Sequence, residues 1–203
     1  MPAPRCTICG GPLESVESGA ERCARCTAHP PHYRIARTVA RYRTSAEDEP
    51  GSLPALIRRH KYGLDQSAGR ALAEYLGDEL PLAATDYDVV LPVPLHWRRL
   101  MWRGFNQAAL LANEVAHRLD LPLDSTALTR RRFTAPQTAR HHDDRIRNVR
   151  RAFAVKHPER IKDRRVLVVD DVMTTGATVD ECARVLMASG AKFVDVFTLA
   201  RVL

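Results

Sequence analysis

The apolar positions of this 203-residue chain are scattered among polar and basic residues until about Ser52, and from Leu53 onward they recur with regular periods. LPALIRRHKY (53–62) and AGRALAEYLGDEL (68–80) space their apolar residues at helical intervals. Gly63 breaks the first and Pro81 follows the second, so two helices are predicted. YDVVLPVPL (87–95) is a β-branched run ending in prolines, which predicts a strand and then a loop; NQAALLANEVAHRL (106–119) repeats Ala and Leu at the helical period. A weaker strand candidate lies around Ser125 to Leu128. RRVLVVDD (164–171) has the unbroken apolar run of a strand buried on both faces. A glycine-containing turn, a helix over ATVDECARVLMASG and a last strand in KFVDVFTLARVL follow. The order β, α, β, loop, β, α, β predicts an α/β fold, a doubly wound parallel sheet flanked by helices.

Two segments lack a period. Residues 30–50 are polar and basic and end in the acidic, proline-flanked AEDEPGS, which reads as a linker or an extended hairpin. RRRFTAPQTARHHDDRIRNVRRAF (130–153) has little to bury and reads as a long functional loop or hairpin. Its His141 and His142, beside Asp143 and Asp144, are expected to be loop residues without a metal.

Composition narrows the class. With 45% hydrophobic and 27% charged residues the chain falls in the globular range. No apolar run approaches the roughly 20 residues needed to span a bilayer, and MPAPRCTICGGPL lacks the apolar core of a secretion signal. A cytoplasmic protein without membrane insertion is expected. The formal charge of +7 favours polyanionic partners such as nucleic acid or phosphorylated ligands. The basic residues are arginines apart from Lys61, Lys156, Lys162 and Lys192, and such a bias also arises from codon composition.

Cys6, Cys9, Cys23 and Cys26 form two CxxC pairs separated by thirteen residues, the spacing of a zinc ribbon. Gly10 and Gly11 follow the first pair and Gly19 precedes the second, where the backbone must turn back toward the sulfurs. Two disulfides would need an oxidising compartment, a redox CxxC would sit beside a βαβ unit, and ordinary buried cysteines need no such spacing. Four sulfur ligands close the tetrahedron, so the expected zinc is structural. Cys182, inside a predicted helix, is expected to pack.

The candidate ligand site is the exposed carboxyl end of the 164–171 strand, where open parallel sheets bind ligands. Asp170 and Asp171 can accept hydrogen bonds from the vicinal hydroxyls of a ribose, or lie near a magnesium ion. Thr174, Thr175, Gly176, Ala177 and Thr178 have small side chains before a helix start, so amides and hydroxyls can converge on one phosphate. Asp and Thr also favour helix starts as ordinary caps, but two carboxylates and three threonines around one glycine exceed that need.

These residues carry a family likeness. DDVMTTGAT resembles the phosphoribosyl pyrophosphate motif of type I phosphoribosyltransferases. Together with PVPLHWRRLMWRGFNQ, PQTARHHDDRIRNVRRAF and the four-cysteine leader, it makes nearly the whole chain resemble the ComF family. The resemblance implies a zinc ribbon over residues 1–40, a linker over 41–52 and a type I phosphoribosyltransferase-like domain over 53–203. It also implies a role in competence for DNA uptake. Asp170 and Asp171 would face the ribose, and Thr174 to Thr178 would hold its 5-phosphate. Pro94, Leu95 and His96 would receive pyrophosphate, with Arg98, Arg99 and Arg103 neutralising it as guanidinium forks do. Asn106 and Gln107 would position that loop, and Arg145 with Asn148 would belong to a segment that closes over the site.

Thr174 stands where 6-oxopurine phosphoribosyltransferases place an aspartate that accepts a proton, so no general base for a purine is visible. Two functions stay open: transfer of a phosphoribosyl group with magnesium to an unidentified acceptor, and non-catalytic sensing of a phosphoribosyl compound with single-stranded DNA or competence proteins as partners. Trp97, Trp102 and Phe105 interleave with arginines as in single-strand binders, or else pack the loop against the sheet.

Overall fold

Residues 166–169 sit at the centre of the fold, as an unbroken apolar run should, because both faces of their strand are covered. The computed structural model describes residues 4–13, 21–42, 52, 55–57, 76, 80–133 and 147–202. In chain order these contain helix α1 (Ala24–Ala28), strands β1 (Ala36–Tyr42) and β2 (Val89–Pro92), and helices α2 (Trp97–Arg103) and α3 (Gln107–Leu119). The short strands β3 (Leu128–Arg130) and β4 (Phe153–Val155), then β5 (Arg165–Met173), α4 (Ala177–Ala188) and β6 (Phe193–Val202), follow.

The main sheet has the order β1-β6-β5-β2 and every pairing in it is parallel. The alternation of side chains along β5 and β6 splits the core in two. Val166, Val168, Val194 and Val196 pack with Val179, Cys182, Ala183 and Leu186 of α4. Leu167, Val169, Phe197 and Leu199 pack with Leu111, Ala112, Val115 and Ala116 of α3. Cys182 is thus a fully buried core residue. Leu56, Ile57 and Leu76 join the α3 side. Residues 55–57 are helical, and the rest of the two helices predicted between 53 and 80 lies outside the described residues.

Three expectations are corrected. Ala36–Tyr42, read as the end of the ribbon and the start of a linker or hairpin, is instead an edge strand paired along β6, from Ala36 opposite Val196 to Tyr42 opposite Val202. An edge strand is paired on one side only, which lets charged residues such as Arg37 and Arg41 interrupt its apolar pattern. The candidate strand around Ser125 to Leu128 starts at Leu128 and is not in the main sheet; β3 pairs with β4, antiparallel, as a separate two-stranded sheet. The loop after β2 contains a helix, α2, closed by Gly104 at φ +77°.

The amino-terminal edge of the sheet is closed by ion pairs. Arg165 donates to Asp88 through Nη2 at 2.7 Å and its own amide at 2.8 Å. Asp195, almost fully buried, accepts from Arg34 at 2.7 and 3.1 Å and from the Tyr87 hydroxyl at 3.1 Å.

Candidate functional site

β5 runs past its two acids. The Asp171 amide donates to the Asp170 carboxylate at 2.9 Å, and the Val172 amide to the Asp171 carboxylate at 2.7 Å. Both side chains are half-buried, fixed at the strand's carboxyl end. Thr174 and Thr175 are half-buried, Gly176 and Ala177 are buried, and Thr178 is half-buried on the first turn of α4. Gly176 heads that helix at φ +79°, a conformation that glycine adopts without strain. Thr175 Oγ1 accepts from the Ala177 amide at 3.3 Å. The chain therefore brings two carboxylates, three hydroxyls and the positive end of a twelve-residue helix together at one end of a parallel strand.

The loop after β2 is held against β5: the Val93 amide donates to the Val169 carbonyl at 2.9 Å. Asn106 donates to the Val93 carbonyl at 3.0 Å and caps α3 by accepting from the Ala108 amide at 3.2 Å. One amide side chain thus ties the loop to the next helix. Pro94 and Leu95 are half-buried, and His96 is buried and caps α2 through Nδ1, which accepts from the Arg98 amide at 3.3 Å. Burial, with the charges of Arg130 and Arg98, holds the His96 pKa below the usual imidazole value.

The three loop arginines diverge. Arg98 is exposed and stacks near Trp97 and Phe133, at 5.3 and 5.5 Å from their ring centroids. Arg103 donates to Gln107 Oε1 at 3.2 Å. Arg99 acts electrostatically on Arg130, whose pKa is lowered by burial and by Arg99 and raised by Cys182 and Asp170. Arg130, at the end of β3, is thus a buried basic residue within electrostatic reach of Arg99 and Asp170 that sequence reasoning did not single out. Its only signal was the arginine run at 130–132, which reads equally as a solvated surface. The tryptophans do not pack the loop down: Trp97 is 58% and Trp102 is 62% exposed, with Met101 at 77%. Phe105 is half-buried.

Asn148 is half-buried at the base of the β3–β4 hairpin; Arg145, His141, His142, Asp143 and Asp144 lie outside the described residues. That base is pinned to α4, because Glu181 accepts from the Arg151 amide at 2.7 Å and from Arg184 at 2.7 and 2.8 Å. Val149 and Arg150 line a cleft of about 650 Å³ with Tyr33, Cys26, Ala177 and Asp180.

The sulfurs of Cys6, Cys9, Cys23 and Cys26 all lie within 4.8 Å of one another, and the group can hold a metal such as zinc. A tetrahedron with bonds of about 2.3 Å has sulfur–sulfur edges of about 3.8 Å. The Cys9 and Cys23 sulfurs are 3.8 Å apart, which fits that edge and is far too long for a disulfide. The knuckle is closed by amide donors: Gly10 to the Cys6 carbonyl at 2.9 Å, Cys6 to the Gly11 carbonyl at 2.9 Å and Gly11 to Cys9 Sγ at 3.4 Å. Burial raises the thiol pKa of Cys9 and of Cys26. Burial also acts on Cys6, but amides at Cys9, Cys23 and Ile8 outweigh it and hold this thiol at about 6. Among the described residues no helix is long and apolar enough to cross a membrane.

Residues 106–202 match the phosphoribosyl transferase domain family. The chain is 37% identical over 190 residues to the DNA utilization protein YhgH of Salmonella typhi, covering 89% of this chain and 78% of that protein. It is 31% identical to competence protein F of Haemophilus influenzae, over 98% of this chain and 85% of the relative. Against competence protein ComFC of Streptococcus pneumoniae the identity is 29%, over 70% and 60% of the two chains. With a parallel sheet flanked by helices, an amino-terminal cysteine cluster and these relatives, the chain belongs to the ComF family of phosphoribosyltransferase-domain proteins.

Proposed function

We propose that this chain binds phosphoribosyl pyrophosphate with magnesium at the carboxyl end of β5, and that it acts in the cytoplasm in the uptake or use of DNA. The observation that carries the reading is the succession of Asp170, Asp171 and the Gly176-headed helix α4 at the end of a buried parallel strand. In this reading Asp170 and Asp171 accept the ribose hydroxyls. The amides and hydroxyls of Thr174, Thr175, Gly176, Ala177 and Thr178 hold the 5-phosphate. Pro94, Leu95 and His96 receive the pyrophosphate. Arg98 and Arg99 supply charge, Arg103 acts through Gln107, and Arg145 with Asn148 closes over the ligand. Magnesium bound near the Asp170–Asp171 pair would neutralise the ligand's charge there. Zinc in the cysteine knot is structural, and the ligand-binding domain takes in β1 (Ala36–Tyr42) as an edge strand of its sheet. The DNA role follows the names of the relatives.

A second reading rests on a separate observation. Trp97 and Trp102 are exposed beside Arg98 and Arg103, which offers bases a stacking face and phosphates a charge. It predicts affinity for single-stranded DNA that falls steeply with salt, in a binder without turnover.

Calorimetric titration of phosphoribosyl pyrophosphate into the zinc-loaded chain with magnesium tests the first reading. Binding in the wild type and its loss in Asp170→Ala/Asp171→Ala is the expected result; equal affinity in the double variant refutes it. A pyrophosphate-release assay over nucleobases and single-stranded DNA then separates a transferase from a sensor.

A further inference from the structure

β5 and β6 end side by side, with Met173 opposite Arg201 in register. Arg201 is 8% exposed, and its guanidinium is inserted between the cysteine knot and the turn that follows β5. Nη1 donates to the Cys9 carbonyl and lies 3.9 Å from Met173 Sδ, while Nη2 lies 3.8 Å from Cys9 Sγ. The fit is close: a Cβ on Gly11 would stand 3.1 Å from Nη2. A second guanidinium, that of Arg41 at the end of β1, faces the knot from Gly10's side, 3.7 Å from where a Cβ there would lie. The Nε atoms of Arg41 and Arg201 are buried with no hydrogen-bond partner among the described residues. A divalent ion held by four thiolates carries a net charge of about −2, and two guanidiniums against it bring the cluster to neutrality.

The other side of this unit touches the turn. A Cβ on Gly176 would be 3.5 Å from the Tyr33 hydroxyl and 3.6 Å from Met173 Sδ. His32, next to Tyr33, straps the first turn of α4: its amide donates to Asp180 Oδ1 at 2.6 Å, and its Nδ1 is 3.1 Å from the same oxygen. The cysteine knot, Arg201 and Met173 are therefore in contact, and Met173 and Tyr33 flank Gly176 at the head of α4.

We infer that metal occupancy of the cysteine knot and anion binding at the 174–178 turn are energetically coupled, with Arg201 as the positioning residue that links them. This rests on the reading of that turn as the seat of a ribose 5-phosphate group. When the four sulfurs are drawn to one centre, the Cys9 carbonyl and sulfur hold Arg201 in place. Arg201 in turn fixes Met173, and Tyr33 fixes Gly176, so the amides of the turn are already aimed when the anion arrives. Linkage then works both ways: the factor by which the metal tightens anion binding is the factor by which the anion tightens metal binding.

The test uses the full zinc-loaded chain and ribose 5-phosphate as the probe. Zinc transfer to a chromogenic chelator is timed with and without saturating probe, beside calorimetry of the probe on the same sample. Ribose 5-phosphate is expected to slow zinc transfer roughly tenfold in the wild type. Arg201→Met, checked for full zinc content, should lose most of that protection, and Arg201→Lys should recover part of it. Tyr33→Phe leaves the cysteines and Arg201 untouched and should reduce the protection severalfold, which keeps the test alive if Arg201→Met fails to load zinc. A wild type that binds the probe but releases zinc at the same rate with and without it overturns the coupling alone. So does full protection in both Arg201→Met and Tyr33→Phe. A wild type that shows no binding of the probe overturns the phosphate reading of the turn, and the coupling with it.

Discussion

The two ends of β5 carry the same residue types and use them differently. At the amino end, Arg165 grips Asp88 through side chain and amide, and holds that carboxyl at about 2, well below the usual range. Nearby Asp195 is enclosed by Arg34, Tyr87 and the Ile35 amide. At the carboxyl end, Asp170 and Asp171 lean on amides of their own strand. The arginines there stand on the loop after β2 and on β3. Charge at one end is matched within the fold, so it holds strands in register. Charge at the other is arranged around a glycine-headed turn, where in the proposed reading a ligand would complete it. An acid pair is informative about function only when its partners are also placed.

Asp195→Ala should break the comparison most visibly. A buried acceptor of three donors is lost, at a cost of about 2–3 kcal/mol; this is below the loss for a fully buried pair because Arg34 is half exposed and regains water. Thermal or urea unfolding measures it, and probe affinity of the folded fraction should not change. Asp170→Asn/Asp171→Asn should do the reverse: stability within about 0.5 kcal/mol of wild type, but ribose 5-phosphate affinity down about 100-fold, as two charge-assisted hydrogen bonds weaken. An equally large loss of stability in both variants would erase the distinction between the ends. Gly176→Ala places a side chain at φ +79° and should cost roughly 1–2 kcal/mol, with a severalfold loss of probe affinity by calorimetry.

His96 provides the smallest and most specific effect. Its folded pKa lies below the ordinary 6.5, so the folded state favours the neutral ring. Its contribution to stability is complete above about 6.5 and declines as the pH falls through that value, levelling off below the folded pKa. Acidification from pH 7 to 5 should therefore destabilise the wild type more than His96→Asn, as read by urea unfolding at each pH. Parallel curves would remove His96 from the electrostatics of the site.

What was legible in the sequence was what local pattern controls. The run at 166–169, the helix after Gly176 and the CxxC spacing each state their structure within a few residues, because burial on two faces, a cap and a metal knuckle are local demands. The role of Asn106 in positioning its loop came from the family resemblance, and the structure gives it the bonds to Val93 and Ala108. The rest depended on neighbours distant in sequence. β1 is masked by Arg37 and Arg41, which an edge tolerates. α2 was passed over although Trp97, Leu100 and Met101 stand at helical spacing, because the prolines before it read as a loop and its apolar residues stay exposed rather than covering the sheet. Arg201 enters the picture only through the β5–β6 pairing that carries it to Cys9, and Arg130 only through the separate β3–β4 sheet, which sequence periodicity does not place near the site.

The parallel pairing of β1 with β6 also sets an order of assembly. Ala36 finds its partner in Val196, and the Ala36 amide donates to the Ile8 carbonyl at 2.6 Å, so the cysteine knot is seated through the same strand. During synthesis the cysteines emerge first and can gather around a metal early. Strand β6, along which β1 pairs, is made much later. Contacts of such long sequence separation form slowly, and until then the knot and the edge of β1 remain uncovered. Metal capture before docking would keep those thiols from oxidation and mispairing during that interval.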